Sequence, residues 1–338
     1  MKTITFAVPC YNAQGHMQKC VDSLLSNAAD DIEIIIINDG SVDDTAEIAD
    51  NYTRDFAGVV KVIHQPNSGH GGAINAGLAA ASGKYFKVVD SDDYVDKASY
   101  TEVLSALHNL IDQNTQVDLI ICNYVYEKIG RKRHRVINYT AALPEKKAVG
   151  WEQTRPFAQG QYLLMHALIY RTDVLRESGI VLPQHSFYVD NYFAYMPLTF
   201  VKTLYYINTD FYRYVTGSQG QSVNESTMIK RIGQQIAVNK LMYESVDLQT
   251  VTNKKLLNYL IHYLEIVTSI SMILLIRSNT KENLLIKGKL WEYVKNFPVA
   301  YEALRRGWLM KTLCLTGPIG RGISVVAYYW FRFSYGLN

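Results

Sequence analysis

The hydrophobic positions in the first third of the chain alternate between strand-like runs and helix-like spacings. The β-rich run Ile4–Val8 is followed by residues 14–28, whose apolar positions recur as on one face of a helix. The next run, Ile32–Ile37, is apolar at almost every position, which is typical of a strand buried on both faces of a parallel sheet. Repeated strand–helix units with short connections predict an α/β fold with a doubly wound, mostly parallel sheet.

The pattern changes along the rest of the chain. Residues 126–225 mix shorter strand-like and helical stretches with irregular sequence, and beyond Ser226 the apolar residues recur only at helical spacing. We therefore predict an α/β domain at 1–225, with halves at 1–125 and 126–225, and an all-helical domain at 226–338.

One predicted helix is long enough to cross a membrane. The stretch Leu256–Ile276 is largely apolar but carries Asn258, His262 and Glu265. A charge near the middle of a bilayer costs a few kcal/mol even on the most lenient insertion scale. The pattern therefore favours a helix buried inside the helical domain.

The composition is that of a folded protein. Of the 338 residues, 48% are hydrophobic and 19% charged, which excludes a disordered chain. The four cysteines form no C-x-x-C pair, so neither a disulfide framework nor a zinc site is indicated. The first predicted strand begins directly after Met1 and Lys2, which leaves no room for a signal peptide. We expect a cytoplasmic protein.

The charge is distributed unevenly. Residues 1–125 hold 7 Lys and Arg against 17 Asp and Glu, and the remainder holds 27 against 14. Residues 295–338 are basic and rich in aromatic side chains, which suits a segment that lies among lipid headgroups. We expect a peripheral protein on the inner face of the cell membrane, with no nucleic-acid partner. Packing of this tail on its own domain, or on a second copy in a homodimer, is the alternative.

Polar and small residues follow four predicted strands at the edge where parallel strands end. In open α/β sheets ligands bind at the carboxyl ends of the strands, so these segments converge on one candidate site. The four segments are Pro9-Cys10-Tyr11-Asn12, Asn38-Asp39-Gly40-Ser41, Asn67-Ser68-Gly69-His70-Gly71-Gly72 and Asp90-Ser91-Asp92-Asp93.

The last of these segments places three carboxylates within four residues. Such groups repel one another unless a cation lies between them, and Mg²⁺ or Mn²⁺ prefers oxygen ligands completed by substrate phosphates. An acidic turn that caps the following helix is the alternative. The glycines at 69–72 lack a complete G-x-G-x-x-G and follow the third strand, which argues against a dinucleotide-binding dehydrogenase.

Together these motifs resemble glycosyltransferase family 2, in order and at its normal spacing. The resemblance covers residues 3–125 closely and 126–225 less closely. It implies a GT-A fold with a C-terminal helical domain, and inverting transfer of a sugar from a nucleotide sugar, most simply a UDP-sugar. The acceptor would be a hydroxyl of a glycan or of a lipid-linked glycan in cell-surface polysaccharide synthesis.

The resemblance also implies roles for individual residues. Asp92 would hold the divalent cation, and Asp190, in Val189-Asp190 where the family often has Glu-Asp, would be the general base; a simple helix cap is the alternative for Asp190. The donor-binding residues would be Pro9, Tyr11, Asn12, Asp39, Gly69, Asn75, Asp90, Ser91, Arg213, Ser218 and Ser222.

Two other functions share this type of sheet. A sugar-nucleotidyltransferase should carry a Gly-rich, basic loop after the first strand, and residues 9–14 offer neither glycine nor lysine. A non-catalytic scaffold should have lost Asp92 or Asp190, and the chain has both.

Overall fold

A computed structural model describes residues 2–27, 30–131, 134–217, 224–315 and 317–335, without the side chains of 318, 327, 328 and 330–335. Its strands are β1 (Lys2–Cys10), β2 (Ile32–Asp39), β3 (Val60–Gln65), β4 (Gly83–Val88), β5 (Tyr94–Val95), β6 (Leu119–Lys128), β7 (Arg135–Ile137), β8 (Ala148–Val149), β9 (Leu168–Arg171) and β10 (Leu204–Thr216).

Helices alternate with the first strands and then take over. They are α1 (Met17–Leu25), α2 (Thr45–Asp55), α3 (Gly69–Ala80), α4 (Lys97–Asp112), α5 (Thr172–Ser178), α6 (Val189–Tyr195), α7 (Glu225–Lys230), α8 (Ile232–Ser245), α9 (Lys254–Arg277), α10 (Lys281–Val294), α11 (Pro298–Leu304), α12 (Trp308–Cys314) and α13 (Gly317–Tyr335).

The strands form one mixed sheet in the order β3-β2-β1-β4-β9-β6-β10-β5, with β7 beside β6 and β8 beside β10. The neighbours from β3 to β4 are parallel, as are β6 and β10, whereas β9 joins β4 and β6 antiparallel. Every residue of β2 is buried, as its unbroken apolar run predicts. The predicted α/β class is therefore confirmed.

The order of the strands locates the candidate site. The chain runs outward from β1 through β2 to β3 and then returns to place β4 on the other side of β1. Ligands in open sheets bind where the strand order reverses, outside the carboxyl ends of the strands. The ends of β1 and β4 carry Asn12 and the Asp90–Asp93 segment, so both stand at this reversal.

The chain divides into two compact units. The first comprises Met1–Thr154 and Leu163–Ser218, and the second comprises Arg155–Tyr162 and Gln219–Asn338. The segment 155–162 therefore belongs to the helical unit, although the sequence predicts a single boundary after residue 225. Within that unit, the ring of Phe157 lies 4.5 Å from the ring of Tyr259 on α9, measured between centroids.

Helix α9 is the central element of the second unit and packs against α7, α8 and α10–α13. Among the described residues it is the one helix long and apolar enough to cross a membrane, and 78% of its apolar window is buried. That burial is typical of the core helix of a domain, in agreement with the interpretation of its polar residues.

Candidate functional site

Residues at the ends of β1 and β2 are bonded to each other. Asn12, in the left-handed region at φ +49°, donates its backbone N–H to Ser41 Oγ at 3.0 Å and accepts the Val42 N–H at 2.9 Å. Tyr11, beside it, is 55% exposed, whereas Pro9 is buried in β1 opposite Ile37. Of these predicted donor contacts, Tyr11 offers an open ring face and Asn12 shapes the loop.

Asp39, at the end of β2, is almost fully buried and organises the loop that leads into α3. Its Oδ1 accepts hydrogen bonds from the Gln65 side chain at 2.7 Å and from the N–H and hydroxyl of Ser68 at 2.9 and 3.0 Å. Its Oδ2 accepts the Gly69 N–H at 2.8 Å. Asp39 thus satisfies N–H groups that the start of a helix leaves unpaired, and a nucleobase would have to share these oxygens.

The glycine-rich start of α3 is in close contact with residues 182–185. A Cβ on Gly69 would lie 2.7 Å from the His185 nitrogen, and one on Gly71 would lie 2.4 Å from the Pro183 carbonyl oxygen. One turn further, Asn75 donates to the Leu182 carbonyl at 2.9 Å and accepts the Leu182 N–H at 3.0 Å. Gly69 and Asn75 therefore position the segment that precedes α6, in addition to any contact with a donor.

The acid cluster, defined as Asp90, Asp92 and Asp93, gives its three carboxylates different environments. Asp90 lies 2.8 Å from His70 Nε2. Asp93 is buried and accepts the Tyr212 hydroxyl at 2.6 Å and the Val215 N–H at 2.8 Å. Asp92 is exposed, and its carboxylate has no hydrogen-bond donor on another described residue. Asp92 is thus the carboxylate most open to an incoming cation.

The three charges oppose one another. Desolvation by the surrounding protein atoms and the Asp90 carboxylate raise the pKa of Asp92, although its side chain is exposed, and burial with both neighbouring carboxylates holds the pKa of Asp93 well above its ordinary value. Burial would also raise the pKa of Asp90, but the imidazole of His70 outweighs it and lowers that pKa. A divalent cation beside Asp90 and Asp92 would relieve this repulsion.

A histidine that sequence analysis did not place in the site completes this cluster. His166 lies in the turn Met165–Ala167. One of its ring nitrogens, a carboxylate oxygen of Asp90 and a carboxylate oxygen of Asp93 all lie within 4.8 Å of one another. Its Nδ1 is buried and has no hydrogen-bond partner among the described residues, and burial lowers its pKa to about 4, so the ring is neutral. Carboxylate oxygens and a neutral imidazole suit Mn²⁺ or Mg²⁺, so the residues present fit a cation here.

Lys87 holds the turn that carries His166. This residue of β4 is fully buried and donates from Nζ to the carbonyl oxygens of Met165 at 3.1 Å and His166 at 2.7 Å. Burial lowers its pKa to about 7. A lysine within the apolar run Phe86–Val89 is the signal by which the sequence could have revealed this part of the site.

Asp190 stands in the first turn of α6, and Tyr188, the residue that precedes this helix, lies in the left-handed region at φ +67°. Burial raises the pKa of Asp190, Asp90 raises it further, and the positive charge of His70 opposes the rise. Burial would lower the pKa of His70, but Asp90 and then Asp190 outweigh it and raise that pKa. His70 is thus bonded to Asp90 and interacts electrostatically with Asp190, and we call these three residues the charged group.

Among the described residues, one predicted donor-binding residue, Arg213, is not brought to this group. Arg213 forms ion pairs with Asp96 at 3.0 Å and Glu127 at 3.5 Å. Arg213 directly follows Tyr212 on β10, and the Tyr212 hydroxyl bonds Asp93. Successive residues of a strand point to opposite faces of the sheet. The structure therefore places Arg213 away from the acid cluster. Ser218 and Ser222 lie outside the described residues.

The remaining predicted residue lies at the rim. Ser91 Oγ is 3.4 Å from His16 Nε2, at the edge of the acid cluster.

The described site combines three features: a mostly parallel sheet, an acid cluster where the strand order reverses, and a carboxylate at the start of a following helix. This combination is typical of glycosyltransferases with a GT-A fold. The model of the family described as glycosyl transferase family 2 matches residues 5–173, and the chain belongs to that family. It is therefore a glycosyltransferase, and the resemblance inferred from its motifs is confirmed.

Individual relatives agree with this assignment. The chain is 28% identical to EpsH of Bacillus subtilis over 266 residues, which cover 76% of this chain and 71% of that protein. It is 37% identical to EpsJ of the same organism over 131 residues, which are 39% of this chain and 36% of EpsJ.

Solved structures show the same fold. The fold matches Staphylococcus aureus TarS 1-349, crystallised with UDP-GlcNAc, at a TM-score of 0.70 and 18% identity, over 99% of this chain and 91% of that one. It matches the mannosyltransferase PcManGT of Pyrobaculum calidifontis, in complex with GDP-Man and Mn²⁺, at a TM-score of 0.54 and 13% identity, over 97% and 87% of the two chains. The GT-A fold with a C-terminal helical region is thus confirmed.

Proposed function

We propose that this glycosyltransferase moves one sugar from a nucleotide sugar, most simply a UDP-sugar, to a hydroxyl of a glycan or lipid-linked glycan, with inversion and with a divalent cation. The observation that carries the proposal is the charged group formed by Asp190, His70 and Asp90. It places a carboxylate with a raised pKa beside the acid cluster, so one site can serve both the acceptor and the donor.

The chemistry follows from these residues. A divalent cation held by the exposed Asp92 and by Asp90, the carboxylate that also lies in one group with His166, would neutralise charge that develops on the leaving diphosphate. Asp190 accepts the proton of the acceptor hydroxyl. Because its pKa is raised, its carboxylate is a stronger base than that of an ordinary Asp. A single displacement from the opposite face inverts the anomeric carbon, so no covalent nucleophile is required.

The donor is identified by release of nucleoside diphosphate. The purified chain is incubated with Mn²⁺ or Mg²⁺ and a panel of UDP- and GDP-sugars, since TarS and PcManGT were crystallised with UDP-GlcNAc and GDP-Man. We expect turnover with one UDP-sugar in the presence of an acceptor. Release of pyrophosphate from a nucleoside triphosphate and a sugar phosphate would instead identify a nucleotidyltransferase.

Asp190→Asn tests the base directly. An amide cannot accept the proton, so we expect transfer to fall by about 10²–10⁴ while the affinity for nucleoside diphosphate is kept. Asp173→Asn is the matched control, because Asp173 also stands in the first turn of a short helix, α5, and is largely exposed. Loss of nucleotide affinity in Asp190→Asn would show a donor-site or folding role, and unchanged transfer would exclude this residue as the base.

We also propose that the protein attaches to the inner face of the cell membrane through α13. The observation that supports this is a row of exposed apolar side chains on that helix, Ile319, Ile323, Val326 and Tyr329, and the same helix also carries Arg321. An amphipathic helix with basic residues binds anionic lipid surfaces. Co-sedimentation with anionic vesicles tests this attachment.

A further inference from the structure

Two neighbouring strands line up four tyrosines in two rows. β6 and β10 are parallel, with Tyr124 opposite Tyr212 and Tyr126 opposite Tyr214. Residues two apart on a strand point to the same face, so all four rings stand on one side of the sheet. The ring centroids of Tyr124 and Tyr126 are 5.4 Å apart, as are those of Tyr126 and Tyr214.

The ring of His166 joins these rows. It stacks on Tyr214 with centroids 4.4 Å apart and on Tyr212 with centroids 4.8 Å apart, and it meets Tyr124 edge-on at 5.8 Å. We call Tyr124, Tyr126, His166, Tyr212 and Tyr214 the aromatic cluster. Its rings are in mutual contact, so the cluster forms one continuous wall.

The aromatic cluster has a fixed inner end and an accessible outer end. Tyr124, His166 and Tyr212 are almost completely buried. Tyr212 is further anchored by its bond to Asp93, and the backbone of His166 by its bond from Lys87. Tyr126 and Tyr214 are only partly buried. The inner rings therefore support two outer rings that face solvent in part.

The outer rings lie close to the proposed base. The turn that carries His166 packs against β6 and β10 and also against α6, the helix whose first turn contains Asp190. Burial chiefly raises the pKa of both Tyr126 and Tyr214, and the Asp190 carboxylate adds to the rise in each. An acceptor whose hydroxyl meets Asp190 would therefore have its body beside these two rings.

We propose that Tyr126 and Tyr214 form the acceptor subsite and bind the C–H face of a pyranose ring, so that the acceptor is a cyclic sugar rather than an acyclic polyol. This inference rests on the proposed function. The faces of aromatic rings are electron-rich and attract the electron-poor hydrogens of a sugar's C–H groups, and the phenol adds a polar tip for its hydroxyls. A linear polyol presents no such flat face.

The test compares acceptor and donor kinetics in ring variants. Octyl glycosides of glucose, galactose and N-acetylglucosamine serve as cyclic acceptors, and ribitol and glycerol serve as acyclic ones. For Tyr126→Leu and Tyr214→Leu we expect the acceptor KM to rise roughly three- to tenfold per ring, the value of an aromatic contact, with the donor KM unchanged. Tyr126→Phe keeps the ring and should keep most of the acceptor affinity.

Controls separate this subsite from a general effect on folding. Tyr205→Leu is matched, because Tyr205 lies on β10, is also partly buried and is not in the aromatic cluster. It should leave the acceptor KM unchanged. A rise in the donor KM instead of the acceptor KM, preferred use of ribitol or glycerol, or unchanged acceptor KM in both leucine variants would overturn the inference.

A binding measurement keeps this test independent of turnover. Saturation-transfer NMR on the wild type detects contact between octyl glycosides and the protein, and the signal should weaken in both leucine variants. If the wild type released no nucleoside diphosphate from any donor, the proposed function would fail, whereas equal NMR signals in the wild type and both variants would contradict the subsite alone.

Discussion

Three adjacent carboxylates illustrate how much a residue's role depends on its neighbours. Asp90 is bonded to His70, Asp93 is buried against Tyr212, and Asp92 is exposed. The sequence shows the three acids as equivalent members of one motif. Only the contacts show that Asp93 is part of the fold's interior, whereas Asp92 is open to an external ion.

Asp92→Asn should therefore abolish cation-dependent transfer and leave the fold intact. The change removes one charge from an exposed carboxylate and alters no core packing. Transfer at a series of Mn²⁺ concentrations and the thermal unfolding midpoint are measured together. Chelation of the wild type should reproduce the loss.

Asp44→Asn is the control for this substitution, because Asp44 is an exposed acid near the end of another strand. It should retain wild-type transfer. Near-normal turnover of Asp92→Asn with Mn²⁺ present would show that Asp92 does not hold the cation.

The site could be predicted from the sequence only where its residues follow one another along the chain. The strand ends at 38–41 and 90–93 are visible as polar runs after apolar ones. His166 lies more than seventy residues beyond the acid cluster, and only the antiparallel entry of β9 brings it back. Arg213 was placed in the donor site by its motif, but the alternation of β10 turns it toward Asp96 and Glu127.

At the scale of elements, α3 connects the two halves of the first unit. Asn75 makes both of its bonds to the backbone of Leu182, in the segment that leads to α6. The sequence shows this asparagine as part of a donor-binding motif. The structure gives it a second task, to position the helix that carries Asp190.

Asn75→Ala should lower stability by about 1–3 kcal/mol, because two backbone groups of Leu182 lose a partner in a partly buried place. The segment before α6 should also loosen, so kcat should fall while nucleoside diphosphate affinity is kept. Asn109→Ala, at an exposed position of α4, is the control and should change neither. A loss confined to nucleotide affinity would show that Asn75 acts on the donor instead.

Helix α9 contains a carboxylate in an apolar pocket. Glu265 lines this pocket with Ile266, Ile270 and Leu309, and no described residue gives its carboxylate a hydrogen bond or an ion pair. Burial raises the pKa of Glu265. The unfolded chain therefore loses this proton at lower pH than the folded chain does, so stability decreases as pH rises from the ordinary pKa of Glu through the raised one.

Glu265→Gln removes this dependence on pH. We expect its thermal unfolding midpoint to rise relative to that of the wild type as pH increases from about 4.3, the ordinary pKa of Glu, toward neutrality. Glu282→Gln, at an exposed position of α10, is the control and should follow the wild type. A difference between Glu265→Gln and the wild type that stays constant with pH would show that folding does not change the pKa of Glu265.

At the scale of the whole molecule, the chain combines an acidic first third with a basic remainder. The helical second unit ends in α13, which carries exposed apolar side chains at helical spacing. Deletion from residue 313 onward is a poor test of this helix, because it also removes the carbonyls of Leu313 and Leu315, to which Lys287 Nζ donates at 2.7 and 3.1 Å. Point substitutions on the exposed face leave those bonds in place.

The double variant Ile319→Ser/Val326→Ser should bind anionic vesicles about thirtyfold more weakly than the wild type, since partial burial of each of the two aliphatic side chains contributes on the order of 1 kcal/mol. These side chains are 82% and 70% exposed, so the substitutions do not disturb the core. Leu285→Ser/Val42→Ser is the control, at positions 69% and 88% exposed elsewhere in the chain.

Wild-type binding, measured by co-sedimentation, should also require phosphatidylglycerol and weaken with salt, because charge attraction is screened over about 10 Å at 0.1 M. Vesicle binding that does not depend on lipid charge, on salt or on the Ile319→Ser/Val326→Ser change would contradict membrane attachment through α13. If the wild type is a dimer and this variant is a monomer, the helix is instead a contact between two copies of the chain.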